Sequence, residues 1–264
     1  MTDINLAGQT ALVTGGNRGI GREVARALAL SGAKVAVTGR NIEKLDETVE
    51  LIRNAGGECA AFEMDVTDNK SILRAVTAVK DRYGEIDILV NNAGIGAGGQ
   101  PPWEMDIDDW WYVQEVNVKG VFMVSHAVMP DMIARQKGCV INMGSYAGTY
   151  PNPYVSAYAV SKAALVRLTD STAIAAKEYG VSVFVVSPGL VKTDMTDVPA
   201  FDDVPEDEWV PIEKIGVLCV ALASGKADKL TGRFIHADVD DLDDLIARAD
   251  DILEHDTYIL SLIK

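Results

Sequence analysis

The sequence predicts an α/β protein built on a doubly wound parallel sheet. Short, nearly continuous apolar runs rich in β-branched residues alternate with longer stretches of helical apolar spacing. The first of these runs ends in a glycine-rich turn that opens a helix. The chain of 264 residues has no internal repeat, low-complexity tract or linker that would divide it, so residues 1–264 read as one domain.

Each element follows from its pattern. Residues 10–14 form a first buried strand, and a helix over 20–30 follows with Ile20, Val24, Ala27 and Leu28 on one face. A strand at 35–38 leads to a helix over 42–52 that turns Leu45, Val49 and Ile52 inward. Further strands are expected at 59–64, 86–90, 139–143 and 181–186, separated by helices near 69–82, 107–134 and 154–179. Beyond residue 190 the regularity weakens. An acidic, Pro-containing loop at 194–208 precedes a helix over 210–223 and a last strand at 231–236. An acidic helix over 240–254 and the apolar tail Tyr258-Ile-Leu-Ser-Leu-Ile263 close the chain, and the tail is expected to pack on its own subunit or a neighbour.

Composition works mainly by exclusion. The formal charge of −15 argues against a nucleic-acid or anionic-membrane surface. The excess is unevenly placed: residues 191–264 hold 18 acids and 7 bases, and residues 1–190 hold 21 and 17. Cys59, Cys139 and Cys219 are far apart among apolar neighbours and read as buried inert thiols, not as a disulfide frame or zinc site. His126, His236 and His255 share no ligand spacing, so no metal is expected. The N-terminus carries no basic segment or long apolar stretch, and a cytoplasmic location is expected.

Three motifs point to chemistry. The string Thr14-Gly15-Gly16-Asn17-Arg18-Gly19-Ile20-Gly21 lies between a strand and a helix, where unpaired helix N–H groups and close backbone approach suit a pyrophosphate. At the end of the second strand, Val37-Thr38-Gly39-Arg40 has glycine where an acid selecting the ribose 2′-OH would sit, and arginine next. Arg40 and Arg18 therefore predict NADP(H), with NAD(H) the alternative. Tyr158 and Lys162 are spaced i, i+4 on a helix, so a cation neighbours the phenol and should lower its pKa from about 10 toward the working range. Such a tyrosine can act as general acid or base at a carbonyl or alcohol.

Asn91-Asn92-Ala93-Gly94 after the fourth strand, Asn117 in the long helix, and Ser145 thirteen residues before Tyr158 complete a constellation. With the glycine loop, it resembles the short-chain dehydrogenase/reductase family in its branch of about 250 residues, over about 6–236. The resemblance implies a Rossmann-type seven-stranded parallel sheet ordered 3-2-1-4-5-6-7. It implies a catalytic tetrad of Asn117, Ser145, Tyr158 and Lys162. Here Tyr158 is the acid/base, Ser145 positions the carbonyl, Lys162 holds the nicotinamide ribose, and Asn117 holds a water linked to Lys162. The implied cofactor contacts are Gly15, Asn17, Arg18, Gly19, Ile20, Gly21, Arg40, Asp65, Val66, Asn91, Ala93, Gly94, Tyr158, Lys162, Pro188, Gly189, Val191 and Thr193. Residues 193–209 correspond to a lid over the substrate, and 237–264 form an added C-terminal extension.

Trp103, Ala147, Tyr150, Tyr154 and Met195 are the candidate pocket residues. The expected reaction is reversible hydride transfer between a ketone and a secondary alcohol, in a homodimer or homotetramer. The acidic lid disfavours anionic substrates. A 3-ketoacyl thioester reductase of the same family is the nearest alternative, and a non-catalytic cofactor-binding regulatory protein a more distant one.

Overall fold

A computed structural model describes residues 4–96 and 98–261. Seven strands form one parallel sheet: β1 Thr10–Thr14, β2 Lys34–Gly39, β3 Glu58–Glu63, β4 Ile88–Asn91, β5 Gly138–Met143, β6 Val181–Ser187 and β7 Phe234–His236. Their order is β3-β2-β1-β4-β5-β6-β7, with every neighbouring pair parallel. The fold is the Rossmann-type single domain expected from the resemblance.

Period-two alternation divides the sheet between two cores. Ala11, Val13, Val35, Val37, Ile88, Val90 and Phe184 face helices α1 Gly19–Leu30, α2 Ile42–Asn54 and α7 Glu213–Ala223. Leu12, Ala36, Leu89, Val140 and Val183 face α3 Asn69–Tyr83, α5 Val121–Arg135 and α6 Ser156–Ala176 on the other side. Both faces are covered, which explains the near-continuous apolar runs. The loops after the strands gather at one end of the sheet, where ligands of such folds bind.

Three boundaries depart from the sequence reading. The helix expected at 107–134 is interrupted: α4 Ile107–Gln114 passes into a π-helical segment, Glu115–Gly120, before α5 begins. Gly120 there approaches Val66 so closely that a Cβ would lie 3.0 Å from the valine side chain. The last strand starts at Phe234 and not at residue 231, because Gly232 sits at φ +86 in a turn whose N–H donates to the Val183 carbonyl. The acidic C-terminal helix is two short ones, α8 Leu242–Ala247 and α9 Ala249–Glu254, separated where Arg248 leaves the helical region.

Leu245, Ala249 and Ile252 bury this extension against the first core. Beyond it, the Tyr258 carbonyl accepts a hydrogen bond from the Phe234 N–H, so the tail packs along the edge strand of its own subunit. Residues 262–264 lie outside the described residues, so only the tail as far as residue 261 is placed.

Candidate active site

The glycine loop links β1 to α1 with backbone packed on backbone. A Cβ on Gly21 would lie 2.3 Å from the Gly15 carbonyl oxygen, and one on Gly15, at φ +65, would lie 2.9 Å from the Ala93 Cα. Neither position tolerates a side chain. The first turn of α1 contains no acid, and its N-cap, Arg18, makes no capping hydrogen bond. The N–H groups and positive dipole end of a twelve-residue helix therefore face the groove without a side-chain partner among the described residues, a donor set that suits a pyrophosphate. Ile20 sits in that first turn, partly buried against the core. Asn17 holds the loop through its backbone carbonyl, which accepts from Arg22 at 2.7 Å.

The loop after β4 braces this cradle. Thr14 Oγ1 accepts from the N–H groups of both Asn92 and Ala93 at 2.9 Å, while Asn92 Nδ2 donates to the carbonyls of Thr14 and Gly15. The Asn91 side chain turns the other way, donating to Ser125 Oγ and Asn142 Oδ1 beneath α5, and is 2% exposed. At the outer end of the groove, the Asp65 carboxylate accepts from Thr67 N and Oγ1. Burial works to raise its pKa, but these bonds and nearby Arg40 outweigh it and hold the carboxyl low. Val66 packs against Gly120.

The two arginines chosen for a cofactor phosphate already have partners. Arg40 Nη1 donates to Tyr112 Oη at 3.3 Å, and Arg18 is ion-paired with Asp194 at the start of the acidic segment. Arg18 thus does not stand free, because the segment after β6 folds back across the glycine loop. There the Thr193 methyl lies 3.3 Å from where a Gly19 Cβ would be. Met195 reaches the loop after β4, with Cγ 3.3 Å from the corresponding point on Gly96. Pro188 and Gly189 make the turn out of β6, with Gly189 at φ +80 against Val210 and His236. Val191 is buried, and its carbonyl accepts from Thr196 Oγ1. A cavity of about 370 Å³ is formed within this segment, bordered by Lys192, Thr193, Asp194, Asp197, Asp202 and Trp209.

Ser145, Tyr158 and Lys162 meet where β5 ends. Ser145 caps the short turn Tyr146–Gly148, accepting from the Ala147 N–H at 3.2 Å. Gly148 lets this turn rest on α6: a Cβ there would lie 2.7 Å from Ala163 N and from Lys162 C. This close packing rests the Ser145 turn on the part of α6 that carries Lys162, and the Ser145 hydroxyl acts on the Tyr158 phenol. Lys162 is 5% exposed, its Nζ donating to the Met143 carbonyl at 2.6 Å and lying 5.4 Å from the Tyr158 ring centroid. Burial pushes the ammonium down to about 8. Burial also raises the Tyr158 phenol above its ordinary value, with the Ser145 hydrogen bond pulling the other way. The expected lowering of the phenol is not what the protein by itself displays, because burial outweighs it.

Asn117 lies in the π segment and is 1% exposed. Its Oδ1 accepts from Ile95 N, and its Nδ2 donates to both the Ile95 carbonyl and Ser161 Oγ, so its amide hydrogens are both engaged within the protein.

The aromatic candidates are spread around the rim. Tyr150 and Tyr154 are exposed beside α6, and Ala147 lies next to Ser145. Trp103 is 82% exposed and has no aromatic partner among the described residues. Sequence reasoning missed Tyr146, which packs on Tyr150 and, edge-on, on His236. The His236 Nδ1 accepts from the N–H groups of Asp238 and Val239, which leaves Nε2 to carry the proton. Position after Ser145 was the available signal for Tyr146; none marked His236. Among the described residues, no group of three or more His, Cys, Asp or Glu gathers to hold a metal, and no helix is long and apolar enough to cross a membrane. The three thiols are buried and unpaired, and burial pushes Cys59 and Cys219 up to about 12.

Comparison with known proteins gives one answer. The family model for short chain dehydrogenases matches residues 9–200. A short chain dehydrogenase of Pseudocercospora fijiensis is 40% identical over 191 residues, 72% of this chain; the match spans 62% of that relative's length. The 3-oxoacyl-acyl-carrier-protein reductase FabG of Thermotoga maritima is 34% identical over 242 residues, 89% of this chain and 98% of that one. A solved structure of gluconate 5-dehydrogenase from Burkholderia cenocepacia, in complex with NADP and tartrate, superposes with a TM-score of 0.82. It is 33% identical and covers 89% of this chain and 95% of its own. With fold, relatives and family model in agreement, the chain belongs to the short-chain dehydrogenase/reductase family of oxidoreductases.

Proposed function

We propose that the protein catalyses reversible NADP(H)-dependent hydride transfer between a ketone and a secondary alcohol, with Tyr158 as general acid/base. The observation that carries this reading is the meeting of Tyr158, Ser145 and Lys162 beside a glycine cradle whose helix N–H groups have no side-chain partner. The cradle of Gly15, Gly19 and Gly21 would hold the pyrophosphate, and Asp65 and Val66 the adenine end. Arg18 and Arg40 would hold the 2′-phosphate. Asn91, Ala93 and Gly94 form the floor, with Pro188, Gly189, Val191 and Thr193 at the nicotinamide end. When bound, the nicotinamide supplies or accepts the hydride.

The chain's own residues manage the proton. A phenol raised by burial is protonated at neutral pH, so Tyr158 Oη can donate to a ketone oxygen while Ser145 Oγ hydrogen-bonds the same atom. Lys162, buried and charged below pH about 8, offsets negative charge developing on the Tyr158 oxygen. Segment 193–209 serves as the lid, and its seven carboxylates favour neutral over anionic substrates. The Thermotoga maritima relative favours a second reading, reduction of a 3-ketoacyl thioester. A homodimer or homotetramer belongs to the proposal, with exposed Trp111, Phe122 and Ile174 offering apolar surface. The unpaired buried thiols support a reducing, cytoplasmic setting.

The test is a panel of neutral cyclic, aryl and 3-keto ester ketones, with a 3-ketoacyl thioester. Each is followed by nicotinamide absorbance with NADPH and NADH separately. Turnover with NADPH that Tyr158→Phe abolishes supports the reading. Turnover retained by that variant removes Tyr158 as the acid, and much better use of NADH removes the selection by Arg18 and Arg40.

A further inference from the structure

We propose that Ser161 is a positioning residue of this site: its hydroxyl fixes the Asn117 amide and thereby ties the loop after β4 to the catalytic turn of α6. The inference rests on the functional reading above, and it adds a residue that lies outside the tetrad.

Three observations carry it. First, Ser161 is fully buried on α6, three residues after Tyr158 and immediately before Lys162. Second, its single proton is spent: Oγ donates to the Tyr158 carbonyl at 2.7 Å, leaving only lone pairs to face outward. A hydroxyl so committed can only accept, and it does so from Asn117 Nδ2 at 3.0 Å. Third, this bond, together with the two to Ile95, sets which end of the Asn117 amide points where. With one Nδ2 hydrogen drawn to Ser161, the other reaches the Ile95 carbonyl at 2.9 Å, and Oδ1 is left to accept from Ile95 N at 2.9 Å. An amide turned end for end would set its oxygen against the Ile95 carbonyl and its nitrogen against the Ile95 N–H, two repulsive contacts.

The path then runs from the Tyr158 turn through Ser161 and Asn117 to Ile95, which directly follows the Asn91–Gly94 floor. A serine that merely back-bonded to its own helix would need only the Tyr158 carbonyl. The second bond is what joins α6 to the π segment and the floor. Every atom on the path from Ser161 to Asn117 is buried, so water cannot substitute for the lost acceptor without a rearrangement.

Amide hydrogen exchange followed by NMR on the intact protein tests the path without requiring turnover. The Ile95 N–H exchanges only when its bond to Asn117 opens. In Ser161→Ala its exchange should speed up about tenfold, the scale of one lost buried hydrogen bond, while Val183 in the sheet core keeps its rate. The Asn117 side-chain amide resonances should move as well. In Asn117→Ala the Ile95 rate should rise further, and adding Ser161→Ala to that variant should change nothing more. Ser161→Cys, which keeps the volume but offers a weak acceptor, gives the same reading should the alanine variant not fold. Unchanged Ile95 exchange in both variants overturns the proposal, as does a rise shared equally by Val183 or an additive double variant. The Tyr158→Phe turnover test can fail while this one succeeds, and the reverse, so the two readings are separable.

Discussion

Arg18, on the glycine loop, is ion-paired with Asp194, on the segment that follows β6. The pair joins the predicted phosphate ligand to the predicted lid, two features that the sequence presents 176 residues apart. Both side chains are more than half exposed, so the pair is weak and easily exchanged for another partner. Asp194 nonetheless competes with any anion for the same guanidinium, and the guanidinium in turn holds its carboxyl below the ordinary range.

A cofactor-selection experiment follows from that competition. Arg18→Ala should weaken NADPH binding about tenfold while NADH binding changes little, since a lost charge-assisted phosphate contact is worth roughly that much. Asp194→Asn should act in the opposite sense, tightening NADPH by up to about fivefold at low salt and leaving NADH alone. Fluorescence titrations at two ionic strengths measure both. Equal changes for the two cofactors in Arg18→Ala would remove Arg18 from the 2′-phosphate site.

Tyr158→Phe removes the hydroxyl proposed to exchange a proton with substrate. Turnover should fall by about 10³-fold, within the range for losing a positioned general acid. NADPH affinity should stay within about twofold, because the ring and its packing are kept. Steady-state rates and cofactor titration on the same preparation separate the two effects.

How much of this was legible beforehand depends on the range of the interactions involved. The strands and the Gly15–Gly21 turn were readable because apolar runs and glycines act on their own neighbours in sequence. The i, i+4 spacing of Tyr158 and Lys162 was readable for the same reason. The split of the long helix was not, since the π segment exists where Asn117 bonds to Ile95 and Gly120 presses on Val66. Likewise the phenol pKa turned on burial, which only the folded chain around Tyr158 decides. The acidic extension was readable as helical, but its interruption at Arg248 and its backbone bond to Phe234 depend on the rest of the fold.

Lys162 gives the site a pH signature in stability. Its pKa in the folded protein is about 8, below the ordinary 10.5, because burial disfavours the charge. Between those values the unfolded chain binds the extra proton, so folding stability contributed by this residue rises as pH climbs through 8 to 10.5. The cost of burying the ammonium is fully present below pH 8 and is on the order of 3 kcal/mol. Lys162→Met should therefore be more stable than the parent at pH 7, less the price of an unpaired Met143 carbonyl, and the gap should close toward pH 10. Urea unfolding of both proteins across that range checks the sign. A gap that widens with pH would mean the ammonium stabilises the fold, and activity should be lost at every pH.

Gly148 is the steric counterpart. Its φ is ordinary, so the constraint is space and not backbone conformation: a Cβ would meet Ala163 N and Lys162 C at 2.7 Å. Backbone atoms of a buried helix cannot move aside as a flexible side chain can. Gly148→Ala should force the Tyr146–Gly148 turn away from α6 and carry Ser145 with it. The expected cost is about 1–3 kcal/mol in unfolding free energy, as for other overpacked sites. Turnover should fall by more than that stability loss explains, since at temperatures where the variant is fully folded Ser145 would still be displaced from Tyr158. Denaturant unfolding gives the first quantity, and rates measured well below the transition give the second. A variant that is destabilised yet fully active would show that the turn reaches its place without resting on α6.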